Sequence, residues 1–534
     1  MSNVRLIKID DSGSSVVQAP RVKKASVTLV KRAGTGEPFQ LTSGGFFGQP
    51  DFALMTGRRG PETRGLNTGP STTPILNGLV ARSRSRYAVL VNPFAKRSVD
   101  ILVSNVVGSG HRLLSEAPDK AFKKQVEELW NKWGKVADTT GQSSFSGLES
   151  LAYRSCVEGG DCFIRFRNRR TEDNLPIPIQ LQLIESEQVP LFKNEKKGAQ
   201  NIIAGIQFSI TGKPVVYHML PNHPGDFFSL DSLNSETVAV PASEVLHIHE
   251  VRRPSDVRGM PLLSQMLIRL SDLDRYMDAE LMRKKAAAFI GGFIIEPHDS
   301  QDQNPMITGL ADDNQDEVVI ETFEPASYEV LPPGFDVRFS EPADVGANFE
   351  VFLKWQLRTV AASMNLTFEQ LTGDLTDVTD RTLRATLLEF KRIITAVQRN
   401  IIVFQFCQPV FDRVFDTALI SGALEIPAGM SEEDARKVRW IADPWKHLHP
   451  QQEIVAEIME VRGGFKARSE SLIERGKDPD DVDTRISEDK ERQRDLDLVF
   501  DTDVEEVSRA GVAHSVERLT KAFNPEDDME EEIA

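Results

Sequence analysis

Gly346 to Thr417 is the stretch that most restricts what this chain can fold into, because it reads as two helical segments separated by a short polar loop. GANFEVFLKWQLRTVAASMN places Phe349, Leu353, Leu357 beside Gln356, Val360 and Met364 at helical spacing. LTFEQLTGDLTDVTDRT follows, rich in Thr, Asp and Gly, a composition that resists packing. TLRATLLEFKRIITAVQRNIIVFQFCQPVFDRVFDT then reads as a helix of unusual length, with Leu387, Phe390, Ile394, Val397, Ile401 and Phe404 as its core face. An interruption is expected at Pro409, which has no N–H to donate. Such an arrangement suits presentation of the loop to a partner better than closure of a pocket on a small substrate.

At 534 residues the chain exceeds what one core usually supports, so two to four structural units are expected. No apolar run approaches the ~18 residues of a membrane helix, and the first twenty residues lack the apolar centre of a secretion signal. No membrane association and synthesis in the cytosol are the expectations. The three cysteines, Cys156, Cys162 and Cys407, give no fully paired disulfide framework. Cys156 and Cys162 have no second pair to complete a zinc site, and are expected as small buried residues of a strand-rich segment.

The net charge of −17 is unevenly spread: the first hundred residues are basic, with RSRSR at Arg82, Arg84 and Arg86, and the end is acidic, PEDDMEEEIA. Solvated tails and docking tails both fit that asymmetry. An acidic chain is poorly suited to reading duplex sequence, since affinity comes largely from neutralised phosphates.

Residues 1–80 form an arm with little periodicity. From Ser85 to Trp133 the pattern is helical, with a stop at Gly108-Ser109-Gly110 and a second helix carrying Phe122, Val126, Leu129, Trp130 and Trp133. FIRFRN, IQLQLI, IAGIQFSI, PVVYHML and EVLHIHE read as strands. Met260 to Phe289 is helical again; GFIIEP, VVIETF, YEVL and DVRF are short strands, and Pro450 to Arg475 returns to helix. The fold class expected is mixed α/β, mainly helical, without internal repeats.

Candidate chemistry is sparse. His247 and His249 share one face of a strand beside Glu250, and His447 and His449 form a similar pair; packing histidines are the reading preferred to a metal site. Gly108-Ser109-Gly110 and Gly291-Gly292 lack the Lys-Ser/Thr of a phosphate loop, so no nucleotide site is read. Asp374, Asp377 and Asp380 are evenly spaced, but the calcium-loop order of ligands is missing. Glu350, Lys354 and Arg358 fall four apart on one polar face.

Several stretches, in order, resemble the lambda-type portal proteins of tailed bacteriophages. They are VDILVSNVVGSGHRLLS (Val99 to Ser115), ESLAYRSCVEGGDCFIRF (Glu149 to Phe166), LIESEQVP (from Leu183), EVLHIHEVRRPSDVRGMPLLSQ (Glu244 to Gln265), LPPGFDVRF (Leu331 to Phe339), FEQLTGDLTDVTDRTLRA (Phe368 to Ala385) and the segment Asp443 to Val482. Together they span roughly residues 85 to 490. The chain departs from the family at Thr379-Asp380-Arg381-Thr382, where an Asn-Tyr-Ser-Ser-like run is usual, and keeps Arg384.

The resemblance implies the portal fold: an arm (1–80), an α/β wing (81–257), a first stem helix (258–291), a clip (292–345), a second stem helix (346–365), a tunnel loop (366–383), a long wing helix (384–422), a crown (423–500) and an acidic tail (501–534). It implies a non-enzymatic, cofactor-free dodecameric ring at one capsid vertex, in the virion and, during assembly, in the host cytoplasm. The implied partners are double-stranded DNA held without sequence preference, the large terminase subunit, head–tail adaptors, and major capsid and scaffold proteins. Thr372, Asp374, Thr376, Asp377, Thr379, Asp380 and Arg381 would then form a hydrated collar against DNA. Arg283, Lys284 and Lys285 either complement their helix dipole or, repeated round a ring, form a basic belt for phosphates with Lys354 and Arg358 further along the stem. Two rivals are a metal-dependent nucleic-acid hydrolase using His247, His249 and a loop aspartate, and a head-assembly protein that never forms the ring.

Overall fold

The first described elements are two helices that meet at an asparagine. α1 (Thr72–Val91) and α2 (Pro93–Val106) are divided at Asn92, whose side chain accepts from the Phe94 and Ala95 N–H groups. Pro93, at the first position of α2, has no N–H to satisfy, so the helical pattern read from Ser85 is two helices and not one. α1 also starts inside the expected arm. It buries Asn77, Gly78, Ala81, Arg82 and Ser85 and exposes Leu76, Tyr87 and Leu90, so hydrophobic periodicity gives no sign of it. The structure, a computed structural model, describes residues 69–197, 200–226, 236–288, 292–295, 336–339, 346–376, 378–445, 450–496 and 498. Most of the arm, the strands expected at VVIETF and YEVL, the pair His447/His449 and the acidic tail lie outside the described residues.

β1 (Arg112–Ser115) pairs antiparallel with β12 (Val438–Ile441), tying distant parts of the sequence together. α3 (Lys120–Gly134) is capped by Asp119 and buries Phe122, Val126, Trp130 and Trp133. The Trp133 indole N–H donates to the Ile179 carbonyl at 2.9 Å. α4 (Phe145–Gly159) ends at Gly160, whose φ of 94° and backbone contact with Gly259 leave no room for a side chain. Cys156 lies buried on this helix and not on a strand; Cys162 lies buried on the strand after it.

β2 (Asp161–Asn168) is the middle of a three-stranded sheet between β3 (Ile179–Glu185) and β9 (Val245–His249). A five-stranded meander runs through β4 (Glu195–Lys197), β5 (Gln200–Ile203), β6 (Ile206–Phe208), β7 (Pro214–Met219) and β8 (Val238–Pro241). The text IAGIQFSI is therefore not one strand. Ala204 and Gly205, with φ of 51° and 79°, turn it into a two-residue hairpin of the kind that matches strand twist.

α5 (Leu267–Ala288) leads to β10 (Gly292–Ile295), which pairs antiparallel with β11 (Asp336–Phe339) before α6 (Gly346–Ser363) returns. Tyr276 packs against Phe352 at 4.8 Å and Lys284 lies over Phe349 at 5.4 Å, so α5 and α6 run antiparallel. A five-residue helix α7 (Phe368–Thr372) precedes α8 (Asp380–Val397), a π-helical segment (Gln398–Cys407) and α9 (Gln408–Ser421).

Pro409 does not interrupt this long helix. The wider π turns directly ahead of it accommodate a ring that a regular α-turn would meet with its i−4 carbonyl. The π segment also rotates the buried face: Phe404, expected in the core, is 74% exposed, while Phe406 and Cys407 are fully buried. Smaller helices α10 (Glu432–Ala435), α11 (Pro450–Arg462), α12 (Arg468–Glu474) and α13 (Pro479–Asp495) follow. The helical text from Pro450 to Arg475 is broken at Gly463-Gly464, where Gly464 has φ of 75°.

The main core gathers an aromatic cluster from far-apart segments: Trp130, Trp133, Phe145, Phe406, Phe411 and Trp440. A second core, with Phe163, Val189, Ile206, Tyr217, Met219 and Val240, lies between the two sheets. The fold is mixed α/β and mostly helical.

Candidate functional site

The expected loop of 366–383 is shorter in the structure, because both of its ends are helical. Thr367 and Gln370 form a reciprocal cap: Thr367 Oγ1 accepts from the Gln370 N–H at 3.1 Å, and Gln370 Oε1 accepts from the Thr367 N–H at 3.0 Å. α7 ends at Gly373, whose φ of 78° suits a left-handed helix terminus. Thr379 caps α8, so Asp380 and Arg381 belong to that helix's first turn. Between the two helices the described residues Gly373 to Thr376, Val378 and Thr379 are non-helical.

Inside it, polar groups bond mainly to one another. Asp374 Oδ1 accepts from the Thr376 N–H at 3.0 Å and from its hydroxyl at 2.6 Å. Those bonds hold the Asp374 carboxyl below its ordinary range. The Asp374 N–H donates to Thr372 Oγ1 at 3.1 Å. Asp380 pairs with Arg384 at 3.3 Å, and Arg381 is exposed. Asp377 lies outside the described residues. Leu375, 60% exposed, is an apolar tip without cover among the described residues.

The stem-helix cations fall into two groups. Arg358 lies 5.5 Å from the ring centres of both Trp355 and Phe368, joining α6 to α7 just ahead of the loop, and Lys354 pairs with Glu350 at 3.0 Å. Arg283 donates to Glu280 at 2.6 Å, and Lys284 and exposed Lys285 stand near the other end of the hairpin. Phe349, under Lys284, and Ser363, the last residue of α6, are fourteen residues apart, roughly 21 Å of helix. The fold therefore keeps the Arg283–Lys285 cluster away from the loop and brings Lys354 and Arg358 towards it.

His247 belongs to a different feature, a buried ion cluster centred on Asp161. Asp161 Oδ1 accepts from Arg82 Nη2 at 3.1 Å and from the Ser186 hydroxyl. Its Oδ2 accepts from Arg258 Nε at 2.5 Å and faces His247 Nε2 at 3.3 Å. Arg258 donates further to the carbonyls of Ser186, Val189 and Ala204 at 2.8–3.0 Å. Arg82 Nε donates to the Gly159 carbonyl at 2.7 Å. Burial opposes charge on Asp161, but the two guanidinium groups prevail and hold its carboxyl well below the carboxylate range. Burial, then the neighbouring His249, push the His247 imidazole down to about 3. His249 stacks on His247 at 4.2 Å.

This cluster joins α1, β2, β9 and the loop after β9, a structural clasp in which His247 is a neutral packing partner. Asp161, Arg82 and Arg258 escape a reading based on residue spacing. A lone Asp after Gly159-Gly160 and a lone Arg before Gly259 carry no pattern, although both lie within stretches that carry the family resemblance.

Comparison with known proteins now bears on this architecture. The sequence profile described as "Phage portal protein, lambda family" matches residues 56–398. The chain is 25% identical over 428 residues to the "Probable portal protein" of Halomonas phage phiHAP-1, covering 78% of this chain and 81% of that protein. It is 19% identical over 435 residues to "Portal protein B" of Escherichia phage lambda, covering 75% and 81%. Among solved structures, a chain from the neck of a native gene transfer agent particle computed with C12 symmetry aligns with TM-score 0.44 and 14% identity, covering 76% of this chain and 94% of that one. An HK97 family phage portal protein from Corynebacterium diphtheriae aligns with TM-score 0.29 and 12% identity, covering 57% and 85%. With a profile match over more than half its length, the chain belongs to the lambda family of phage portal proteins.

Proposed function

We propose that this chain assembles into a closed dodecameric ring at one capsid vertex, and that Gly373 to Thr379 edges a channel through which double-stranded DNA is packaged and ejected. Family membership makes it a structural protein of the virion neck and not an enzyme. The observation that carries the reading is the loop itself. It is exposed, capped at both ends, internally hydrogen-bonded and set at the start of a helix that runs 42 residues from Asp380 to Ser421. A loop tied in this way keeps its shape without a partner, so it can face a moving polyanion without adhering to it. Asp374, and Asp380 in the first helical turn, repel phosphate, while Arg381 and Arg384 limit that repulsion.

In this reading α5 and α6 form the stem, the segment 292–345 the clip, and 423–500 the crown. The clip receives the large terminase subunit during packaging and head–tail adaptors afterwards, while scaffold and major capsid proteins contact wing and crown. Heterologous, head-to-tail contacts close the ring. Lys354 and Arg358 support the loop, and Arg283 to Lys285 form a separate basic belt nearer the clip.

Electron microscopy of purified protein tests the ring: closed particles with a central hole wide enough for duplex, on the order of 20 Å, are expected. Asp374→Lys with Asp377→Lys tests the loop. Rings should form as before while DNA packaging slows, and unchanged packaging would remove the loop from the channel.

A further inference from the structure

We propose that His111, Glu149 and Cys407 form a binding site for one divalent transition-metal ion of the zinc class. The three residues come from separate elements: His111 immediately before β1, Glu149 in α4, and Cys407 at the last position of the π segment. One donor atom from each lies within 4.8 Å of the other two. All three are buried, with exposures of 6%, 0% and 0%.

The polar arrangement leaves one buried ring nitrogen unmet. Glu149 Oε2 accepts from the His111 backbone N–H at 3.1 Å, and Oε1 contacts His111 Nδ1. His111 Nε2 is buried without a hydrogen-bond partner. A buried carboxylate and an orphaned ring nitrogen both carry a desolvation cost. A dication bound to the carboxylate, a thiolate and a neutral imidazole gives a site of zero net charge, and nitrogen, sulfur and carboxylate donors suit zinc. Tetrahedral zinc ligands stand about 3.5 Å apart, which lies inside the 4.8 Å span over which the three donors are already gathered. Binding releases the Cys407 proton to solvent and forms the metal–sulfur bond, with no change of oxidation state. Burial and Glu149 push that thiol well up in the metal-free chain, and a bound dication reverses the balance. The ion would clamp the strand start, α4 and the long helix at the place where that helix is π-wound, a geometry that recurs at functional sites.

The test uses full-length protein without a metal-affinity tag, grown with zinc and measured for metal by mass spectrometry. About one zinc per chain is expected in the parent protein and in Cys156→Ser. At least about a tenfold loss is expected in Cys407→Ala and His111→Asn. Titration of metal-free protein with cobalt(II) should produce a thiolate-to-cobalt charge-transfer band, absent in Cys407→Ser. Because those variants could misfold, the parent protein is also melted with chelator and with added zinc, and Tm should fall and then recover. A parent protein that binds neither zinc nor cobalt, full metal retention in Cys407→Ala, or a Tm indifferent to chelator and zinc would each overturn the site.

Discussion

The Asp161 cluster and the Gly373–Thr379 loop are both dense in charged and hydroxyl groups, yet they use them in opposite ways. Around Asp161 the bonds are long-range, joining residues 25 to 98 positions apart, and nearly all of the participants are out of water. In the loop each bond spans two to four residues and most partners are exposed. Long-range bonds hold elements together; short-range bonds hold only the loop's own shape. On the proposed function, a chain that stays intact under packaging load and still presents a surface to a moving partner needs both, kept apart.

The largest expected effect follows from breaking the first of these. Asp161→Asn keeps the shape but leaves Arg82 and Arg258 buried without a carboxylate. Removing one member of a buried ion cluster costs about 3–5 kcal/mol, read as a fall in the urea midpoint with unchanged slope. Of similar size is Phe406→Ala, which deletes a fully buried ring stacked on Phe145 at 5.1 Å. Large-to-small changes of this kind cost about 3–5 kcal/mol. If Phe406→Ala is mild and Phe404→Ala severe, the rotated face of the π segment is wrong. A mild Asp161→Asn would mean that the cluster does not clasp the fold.

Acid should separate the two regions next. Burial keeps His247 neutral in the folded chain down to about 3, whereas the unfolded chain takes up a proton near 6.5. Folding is therefore progressively opposed as pH falls from 6.5 towards 3, by a few kcal/mol in all. Asp161, whose folded value lies well below 3.8, adds its own loss only beneath that point, as pH falls through the folded value. Between pH 6.5 and 4, His247→Gln should flatten most of the stability slope and leave the smaller share of His249, which burial also holds down. Parallel curves for parent and variant would show that His247 is not held neutral.

The sequence reveals the two regions unequally for physical reasons. The loop is legible because its composition is local: Thr, Asp and Gly between two apolar-periodic runs leave few alternatives. Its ends are less so, since Thr367 and Thr379 act as caps only through side-chain geometry. α1 is hidden because it packs through Asn77, Arg82 and Ser85, so its buried face is polar. The Asp161 cluster is hidden because its members are single residues brought together by the sheet and by the close approach of Gly160 to Gly259. Phe404 and Phe406 change places because no spacing rule anticipates ten residues of π-helix.

The smallest stability effect belongs to the loop, and its smallness is the point. Thr379→Ala removes the cap of α8, which costs about 1 kcal/mol, and Asp374→Ala should leave Tm within error, its carboxylate being bonded to Thr376 alone. Neither change reaches the core, so assembly of the proposed ring should be untouched. Packaging rate is where they should differ: Asp374→Ala frees Thr376 and loosens the loop tip, while Thr379→Ala leaves the tip's own bonds intact. A larger packaging defect in Asp374→Ala than in Thr379→Ala, against the order of their stabilities, would assign the tip a role in handling DNA. Defects that merely track stability would reduce the loop to a connector between two helices.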